Sequence, residues 1–158
     1  MWGWNNYFQC GETVNGSSFI PQPIRLPMFE DDCVKWKNAA CGSVHTLLVT
    51  VDGDLYGLGS NMNGQLGLEE DSTQPTLIDE YRDSRGNVQH LQRVTHVACG
   101  SRHSLVVLED HHVLCAGFND YEQCGEKKEG SLFKSVMNSK EKIQSVSCGM
   151  WNSFVLLS

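Results

Sequence analysis

The chain has 158 residues, enough for one ordinary domain core, and 40% of them are hydrophobic, a share too high for a disordered chain. Its 12 basic and 19 acidic residues give a formal net charge of −7, which argues against direct binding to nucleic acid. The sequence shows no signal peptide and no apolar run long enough to cross a membrane. We therefore expect a cytoplasmic and/or nuclear protein with no direct membrane contact.

One short pattern occurs three times along the chain. Its copies span 2–11, 58–67 and 116–125 and share the frame x-G-x-N-x-x-x-Q-x-G. Gly3 and Gly59 lie 56 residues apart, and Gly59 and Gly117 lie 58 residues apart. A fixed period of this size indicates a repeat architecture.

A second pattern alternates with the first. The segments 40–49 and 98–107 share the frame A-C-G-x-x-H-[ST]-L-x-V, and 147–156 is a diverged third copy. The glycines Gly42 and Gly100 lie 58 residues apart, which agrees with the period of the first pattern. The two patterns therefore belong to one repeating unit.

Each unit is predicted to contain four short strands. In the central unit these are 94–98, 103–108, 113–117 and a weaker strand near 132–136. In the unit before it, Asp-Gly at 52–53 separates two apolar runs, which is a strong hairpin signal because glycine accepts the positive φ of a tight turn.

Helical signals are weak throughout the sequence. The best candidate is 76–82, which is short enough to be a single turn. This candidate falls within the acidic segment 68–92, which we predict to be a long solvated insertion between two units.

Short antiparallel strands in sheets of four, repeated at this period, predict β-propeller blades. The fold class is therefore all-β, with about three blades' worth of sequence forming a partial propeller or arc. We treat 1–158 as a single repeat domain, with repeat-derived segments at roughly 1–32, 33–92, 93–142 and 143–158.

The residues that define the frames are predicted to be structural. Gly42, Gly100 and Gly149 follow the strand nearest the propeller axis, where a side chain would crowd the neighbouring blade. The Asn and Gln of the first frame are expected to satisfy backbone groups in the turn between the third and fourth strands.

The alternation of the two frames resembles the regulator of chromosome condensation repeat family, and the resemblance covers 2–157. It implies a propeller, typically of seven blades, so three repeats indicate either part of a longer protein or an arc completed by another chain. Some family members are guanine-nucleotide exchange factors for the GTPase Ran. Others, including the alpha-tubulin suppressor-like and secretion-regulating members that this chain resembles most, are interaction platforms.

The cysteines and histidines are expected to be structural. Repeat-equivalent cysteines lie in different blades, too far apart to form disulfides, and are predicted to be small buried groups. The Cys-x3-His pairs ending at His45 and His103 follow from the repeat without a metal. We expect both histidines to bond backbone groups at the start of the second strand.

The turns are the best candidates for binding. The turns between first and second strands and those between third and fourth strands should share one face, which would display the predicted partner-binding residues Arg102, Trp151, Tyr121 and Phe118. Arg, Trp and Tyr often dominate interface energetics. The alternative for Trp4, Phe118 and Trp151 is packing between blades.

The favoured function is a non-catalytic protein–protein interaction module, without cofactors or metal. The alternative is a guanine-nucleotide exchange factor, or part of one, for a Ran-like small GTPase, with the 68–92 insertion as a candidate wing. The expected partners are a protein, such as a small GTPase, and a second chain or second copy that completes the propeller.

Overall fold

The computed structural model describes residues 1–11, 18–20, 22–23, 34–125 and 132–158. Within these ranges all regular elements are β-strands, which confirms the all-β prediction. No helix in the described ranges is long and apolar enough to cross a membrane. The strands are β1 (Gly3–Trp4), β2 (Phe19–Ile20), β3 (Trp36–Cys41), β4 (His45–Thr50), β5 (Leu55–Gly59), β6 (Ser72–Ile78), β7 (Glu80–Arg82), β8 (Val88–His90), β9 (Val94–Cys99), β10 (His103–Leu108), β11 (His112–Gly117), β12 (Phe133–Asn138), β13 (Ile143–Cys148) and β14 (Ser153–Leu157).

The strands form four successive sheets that follow the repeat. Two sheets contain a complete antiparallel unit of four strands, β3-β4-β5-β6 and β9-β10-β11-β12, the second extended by β7 and β8. Sheet β1-β2 holds the third and fourth strands of a unit, and sheet β13-β14 holds the first and second. We call this series of sheets the arc, and it confirms the prediction of a partial propeller built from four-stranded blades.

The two complete units pair their strands in the same register. His45 lies opposite Gly59 in the β4–β5 pair, and His103 lies opposite Gly117 in the β10–β11 pair. The predicted Asp-Gly turn joins β4 to β5, and Gly53 adopts a φ of +93° there. Residues at equivalent repeat positions therefore occupy equivalent places in space.

The weak helical candidate at 76–82 is not a helical turn. These residues form the end of β6 and all of β7. Pro75, Ile78 and Tyr81 are buried at a spacing of three, which imitates a helical period in the sequence. β6 is the outermost strand of its sheet, and an outer strand tolerates a proline.

The 68–92 insertion is also more ordered than predicted. It supplies the fourth strand of one blade, β6, and then a β7–β8 hairpin. β7 pairs in parallel with β12, with Tyr81 opposite Phe133, so the hairpin extends the next sheet to six strands. The hairpin is thus part of a sheet and does not stand free as a wing.

Two apolar clusters fill the spaces between successive sheets. The first joins the two complete units through residues such as Leu47, Val106 and Phe133. The second joins the β9–β12 unit to β13-β14 through residues such as Leu105 and Ile143. β10 contributes alternate side chains to the two clusters, as a strand buried on both faces must.

Gly42 and Gly100 of the second frame lie where sheets approach each other closely, as predicted, whereas the atoms nearest to a Cβ atom on Gly149 would belong to Asn152 of its own turn. A Cβ atom on Gly42 would come 2.6 Å from the carbonyl oxygen of Gly100. A Cβ atom on Gly100 would come 2.8 Å from the carbonyl oxygen of Gly149. Real Cβ atoms essentially never come so close, so each glycine permits the next sheet to pack.

Candidate interaction face

The turns between third and fourth strands are braced by their own frame residues, which confirms the structural role predicted for Asn and Gln. In each copy the Asn side chain donates to one backbone carbonyl and accepts from one backbone amide, and the Gln oxygen accepts from a second amide. In the third copy, Asn119 bonds Gly125 O at 2.9 Å and Cys124 N at 2.7 Å. Gln123 accepts from the Tyr121 amide at 3.1 Å.

The two sets of turns share one face, as predicted. The Ser60 amide donates to the Val44 carbonyl at 2.8 Å, and the Phe118 amide donates to the Arg102 carbonyl at 2.9 Å. Each bond ties a turn of the first frame to a turn of the second frame within one blade. The variable residues of both frames are therefore displayed together.

Three of the four predicted site residues come together as a ring cluster. The ring centroids of Phe118 and Tyr121 lie 6.0 Å apart, those of Phe118 and Trp151 lie 5.5 Å apart, and those of Tyr121 and Trp151 lie 5.9 Å apart. All three pairs are edge to face, an arrangement worth about 0.5–1.5 kcal/mol per pair beyond area burial. Trp151 belongs to the β13–β14 turn, so the aromatic cluster bridges two blades.

The aromatic cluster is only partly buried. Tyr121 is 69% exposed and Trp151 is 38% exposed, whereas Phe118 is half-buried beneath them. Both alternatives for these side chains therefore apply, because Phe118 packs between blades while Tyr121 and Trp151 still offer ring surface to solvent.

Arg102 lies beside the aromatic cluster, since its backbone carbonyl accepts a hydrogen bond from the Phe118 amide. Its side chain is exposed. In the part of the chain that the structure describes, its guanidinium has no hydrogen bond and no ion pair. All five of its N–H donors remain available to an incoming acceptor.

A second ring pair, of which the sequence analysis considered only Trp4, lies on the same type of turn. Trp4 and Tyr7 lie 5.5 Å apart, edge to face, in the first copy of the frame. They stand at the repeat positions of Phe118 and Tyr121, so aligning the copies position by position would have found them. Met62 and Met150, 78% and 65% exposed, add flexible apolar contacts to the turns.

The frame histidines link successive blades. His45 Nε2 lies 2.8 Å from the Ser104 hydroxyl of the next sheet, and His103 Nε2 lies 3.1 Å from the Ser153 hydroxyl. The serine hydroxyls donate at 2.7 Å to the carbonyls of Gln65 and Gln123 in the preceding blade. We expected both histidines to bond backbone groups at the start of the second strand. Their rings instead point across the gap between sheets and bond serine hydroxyls near the start of the next second strand.

Burial keeps these histidines neutral. Loss of solvation, reinforced by the nearby His103, lowers the pKa of His45 to about 4. Burial also lowers the pKa of His103. No cluster of three or more His, Cys, Asp or Glu residues that could hold a metal occurs in the described ranges.

The cysteines differ from the expectation in two ways. Cys41 is exposed, so this frame cysteine is not the buried group we predicted. Cys115 and Cys124 form a disulfide within one blade. Their equivalents in the preceding unit are Gly57 and Leu66, which also face each other, so a Cys–Cys pair replaces a Gly–Leu pair.

The sequence matches a family model described as the regulator of chromosome condensation (RCC1) repeat at residues 1–49 and 52–107. A second model with the same description matches residues 94–123. Together these matches cover most of the chain.

The sequence aligns with those of similar proteins over nearly its whole length. The chain is 30% identical to the ultraviolet-B receptor UVR8 of Arabidopsis thaliana over 99% of this chain and 34% of the relative. It is 30% identical to the regulator of chromosome condensation of Mus musculus over 90% of this chain and 32% of that protein. It is 26% identical to the guanine nucleotide exchange factor SRM1 of Saccharomyces cerevisiae over 94% of this chain and 33% of that protein. The chain thus spans about a third of the length of these relatives.

Solved structures show the same fold. Prp20p of Saccharomyces cerevisiae, characterised for binding to Gsp1p and histones, superposes with a TM-score of 0.75 at 23% identity over 98% of this chain and 37% of that one. Human WBSCR16 superposes with a TM-score of 0.71 at 20% identity, over 99% of this chain and 40% of the WBSCR16 chain.

Proposed function

The chain belongs to the regulator of chromosome condensation (RCC1) repeat family, and on this premise we propose that it is a non-catalytic protein–protein interaction module. Its contact surface is the face formed by Arg102, Phe118, Tyr121 and Trp151. Binding by such a face needs rigid, complementary loops and no reacting group.

The observation that carries the proposal is the aromatic cluster itself. Rings from two blades meet beside an exposed Arg102 whose guanidinium has no partner among the described residues. The braced turns hold this surface in one conformation, so little conformational entropy is lost when a partner docks. Clustered aromatic and arginine side chains are the types that supply most of the energy in protein interfaces.

The net charge of −7 favours a partner with a basic surface. Prp20p, which has the same fold, has been studied for binding to Gsp1p and histones, and these proteins are the first probes to try. We propose the nucleus or the cytoplasm as the place where such a partner is met.

The test measures binding of Gsp1p and of histones to the wild-type chain, Trp151→Ala and Arg102→Ala. We expect each substitution to weaken binding roughly 30-fold, which corresponds to about 2 kcal/mol. Leu77→Ala is the matched control, because Leu77 is 45% exposed on β6 and lies outside both sets of turns. We expect its affinity to equal that of the wild type.

The melting temperature of each variant separates binding from packing. If Trp151→Ala lowers the melting temperature but leaves the affinity per folded molecule unchanged, Trp151 serves packing and the proposed face is wrong. Equal affinity of all variants for a probe that binds would likewise refute the assignment.

Guanine-nucleotide exchange on a Ran-like GTPase is the second candidate, favoured by the similarity to SRM1. Exchange requires a surface that binds the nucleotide-free GTPase more tightly than the nucleotide-bound form. The release of a fluorescent GDP analogue from Gsp1p tests it directly. Faster release in the presence of the chain supports exchange, whereas binding without faster release supports the interaction module alone.

A further inference from the structure

The Cys115–Cys124 disulfide is particular to one repeat unit. Cys115 lies on β11, and Cys124 lies nine residues later, at the end of the turn between the third and fourth strands. The equivalent pair in the preceding unit is Gly57 and Leu66, and the first copy of the frame has Cys10 at the position of Cys124. Neither position is a fixed residue of the frames, so the repeat itself does not require the two cysteines.

The turn does not depend on the disulfide for its shape. The Asn119 side chain holds the end of the turn through two hydrogen bonds to the backbone, and the equivalent Asn side chains make two such bonds in the other copies. The second copy contains no cysteine, and Cys10 of the first copy is a free thiol. We therefore expect the third turn to keep the same conformation when its disulfide is reduced.

A free thiol fits at the position of Cys124. In the first copy, Cys10 is buried and its thiol donates a hydrogen bond to the Trp2 carbonyl at 3.6 Å. Ala116 is the equivalent of Trp2, and its carbonyl oxygen lies 3.7 Å from the Cys124 sulfur. A reduced Cys124 thiol therefore has an acceptor within reach, and the blade accommodates the oxidised and the reduced pair alike.

The disulfide encloses part of the interaction face. Phe118 and Tyr121, two rings of the aromatic cluster, lie between its two cysteines in the chain. Closing a loop lowers the conformational entropy of its opened states, so the oxidised turn opens less often than the reduced turn. Cys115 and Cys124 also pack beside Leu105 in the cluster that joins the last sheet to its neighbour. The redox state of the pair thus acts where the aromatic cluster is held.

Small molecules can reach the two sulfurs. Cys115 is 1% exposed and Cys124 is 9% exposed, but both line a pocket of about 380 Å³. Gly125 and Val136 line the same pocket and are exposed, so the pocket opens to solvent. Because a water molecule occupies about 30 Å³ in the liquid, the pocket has room for hydrogen peroxide and for the cysteine end of a small thiol such as glutathione.

We propose that Cys115 and Cys124 are a reversible redox couple: hydrogen peroxide joins them, a small thiol separates them, and the joined form restrains the turn at 118–124. In the nucleus or the cytoplasm, the location proposed above, glutathione keeps most thiols reduced, so a disulfide there is usually transient or redox-sensing. That location rests on the proposed function, whereas the couple acts on the turn whether or not a partner is bound.

Oxidation consumes one molecule of peroxide. The thiolate of Cys124, the more exposed of the two, attacks one peroxide oxygen, the O–O bond breaks, and the departing hydroxide takes up the thiol proton to become water. The Cys115 thiolate then attacks the resulting sulfenic sulfur, the S–S bond forms, and a second hydroxide leaves and is protonated to water. The two thiols lose two electrons and two protons, and the peroxide gains them.

Reduction consumes two molecules of glutathione. The thiolate of the first attacks one sulfur of the disulfide, which gives a mixed disulfide and releases one cysteine thiolate. The thiolate of the second attacks the glutathione sulfur of that mixed disulfide, releases the other cysteine thiolate and leaves as oxidised glutathione. The two glutathione thiols supply the two electrons and the two protons that restore the cysteine thiols.

The first test determines the redox state of the pair in the native protein. The protein is incubated with an excess of reduced glutathione or with hydrogen peroxide and then unfolded in an alkylating reagent, and the peptide that contains both cysteines is weighed. We expect both cysteines to be alkylated after glutathione, neither after peroxide, and both again when glutathione follows peroxide. A pair that stays joined in glutathione, or one that peroxide leaves apart, overturns the proposal.

The second test compares the two redox states by amide hydrogen exchange. We expect the amides of 118–124 to exchange roughly tenfold faster or more in the reduced protein, because the cross-link no longer restricts opening of the turn. The equivalent turn at 60–66 is the internal control and should exchange equally in both states. Equal exchange of 118–124 in the two states would show that the disulfide does not restrain the turn, which also overturns the proposal.

The double variant Cys115→Gly/Cys124→Leu separates this pair from other oxidisable groups, such as the exposed Cys41. It copies the pair Gly57 and Leu66, which pack together in the preceding unit. The oxidised wild type should melt about 5–10 °C above the reduced wild type, whereas the variant should melt at one temperature after either treatment. A variant that keeps the full shift overturns the assignment to this pair, and if the variant does not fold, the two tests on the wild-type protein still decide.

Discussion

His45 is a neutral imidazole enclosed in a joint between two blades, and its environment makes stability depend on pH. The pKa of His45 is lowered from its usual 6.5 to about 4 in the folded protein. The unfolded chain therefore binds a proton between these values while the folded chain does not, so stability falls as pH drops from about 6.5 towards 4. We expect this group alone to account for a loss of roughly 3 kcal/mol over that interval.

Urea unfolding at pH 7 and at successive lower values measures this loss. The matched variant is His45→Asn, because Asn152 shows that the third unit accommodates an amide at this position. We expect a shallower decline with acid for His45→Asn than for the wild type. Parallel declines would show that His45 is protonated freely in the folded state.

Gly100 is required for space and not for its backbone angle. Gly100→Ala would press a Cβ atom against the His103 ring and bring it to 2.8 Å from the Gly149 carbonyl oxygen of the next sheet. We expect a loss of roughly 2 kcal/mol from overpacking. Gly86→Ala is the control, because no atom of the described residues lies within 4 Å of its added Cβ and its φ of +85° is the feature that opposes alanine. Thermal unfolding should show a smaller shift for Gly86→Ala, about 1 kcal/mol, and equal shifts would contradict the close approach of the sheets.

Among the elements, the β7–β8 hairpin fastens one blade to the next. Tyr81 of β7 is 6% exposed and packs in the same cluster as Phe133. We expect Tyr81→Ala to lower the free energy of unfolding by about 3 kcal/mol, because it leaves a cavity in that cluster. Val88→Ala on the exposed strand β8 should change it by less than about 0.5 kcal/mol. Chemical denaturation compares them, and a small effect of Tyr81→Ala would mean that the hairpin adds little to the blade.

The strands of the two frames could be predicted from the sequence because three copies confirm one another. The β7–β8 hairpin has no copy, and its buried residues recur at a helical spacing, so nothing in the sequence separated it from a loop or a helical turn. The positive backbone angles of the turns were equally hard to predict. Phe8 and Glu122 adopt φ of 60° and 59°, and among the three copies only Gly64, at the equivalent position, is a residue type that indicates a positive φ.

The shared face of the turns followed from the order of the strands, and so could be predicted. For the aromatic cluster, the sequence predicted that these aromatic residues lie on the turns of one face, but not that their rings are in contact. That Phe118 and Tyr121 touch Trp151 depends on how the last sheet packs on its neighbour, which no local pattern specifies. The histidine links were missed for the same reason.

Across the whole molecule, stability is expected to be highest in the middle of the arc. All six residues of β4 and of β10 are buried, whereas β14 alternates half-buried and exposed positions. Amide hydrogen exchange should therefore be slowest in β4 and β10 and fastest in β1, β2 and β14 at low protein concentration. Mass spectrometry of exchanged peptides measures this, and equal protection of β10 and β14 in a monomer would contradict it.

The identity of the two histidine links has a consequence for engineering. Because the link from His45 to Ser104 is chemically the same as that from His103 to Ser153, the boundary between blades is a natural splice point. A duplicated segment 42–99, inserted after residue 99, would begin and end on matching halves of this link. The arc can thus be lengthened by whole blades across this link. The exception is the β7–β8 hairpin, which would meet β6 of the added blade instead of β12 and would need a redesigned contact there.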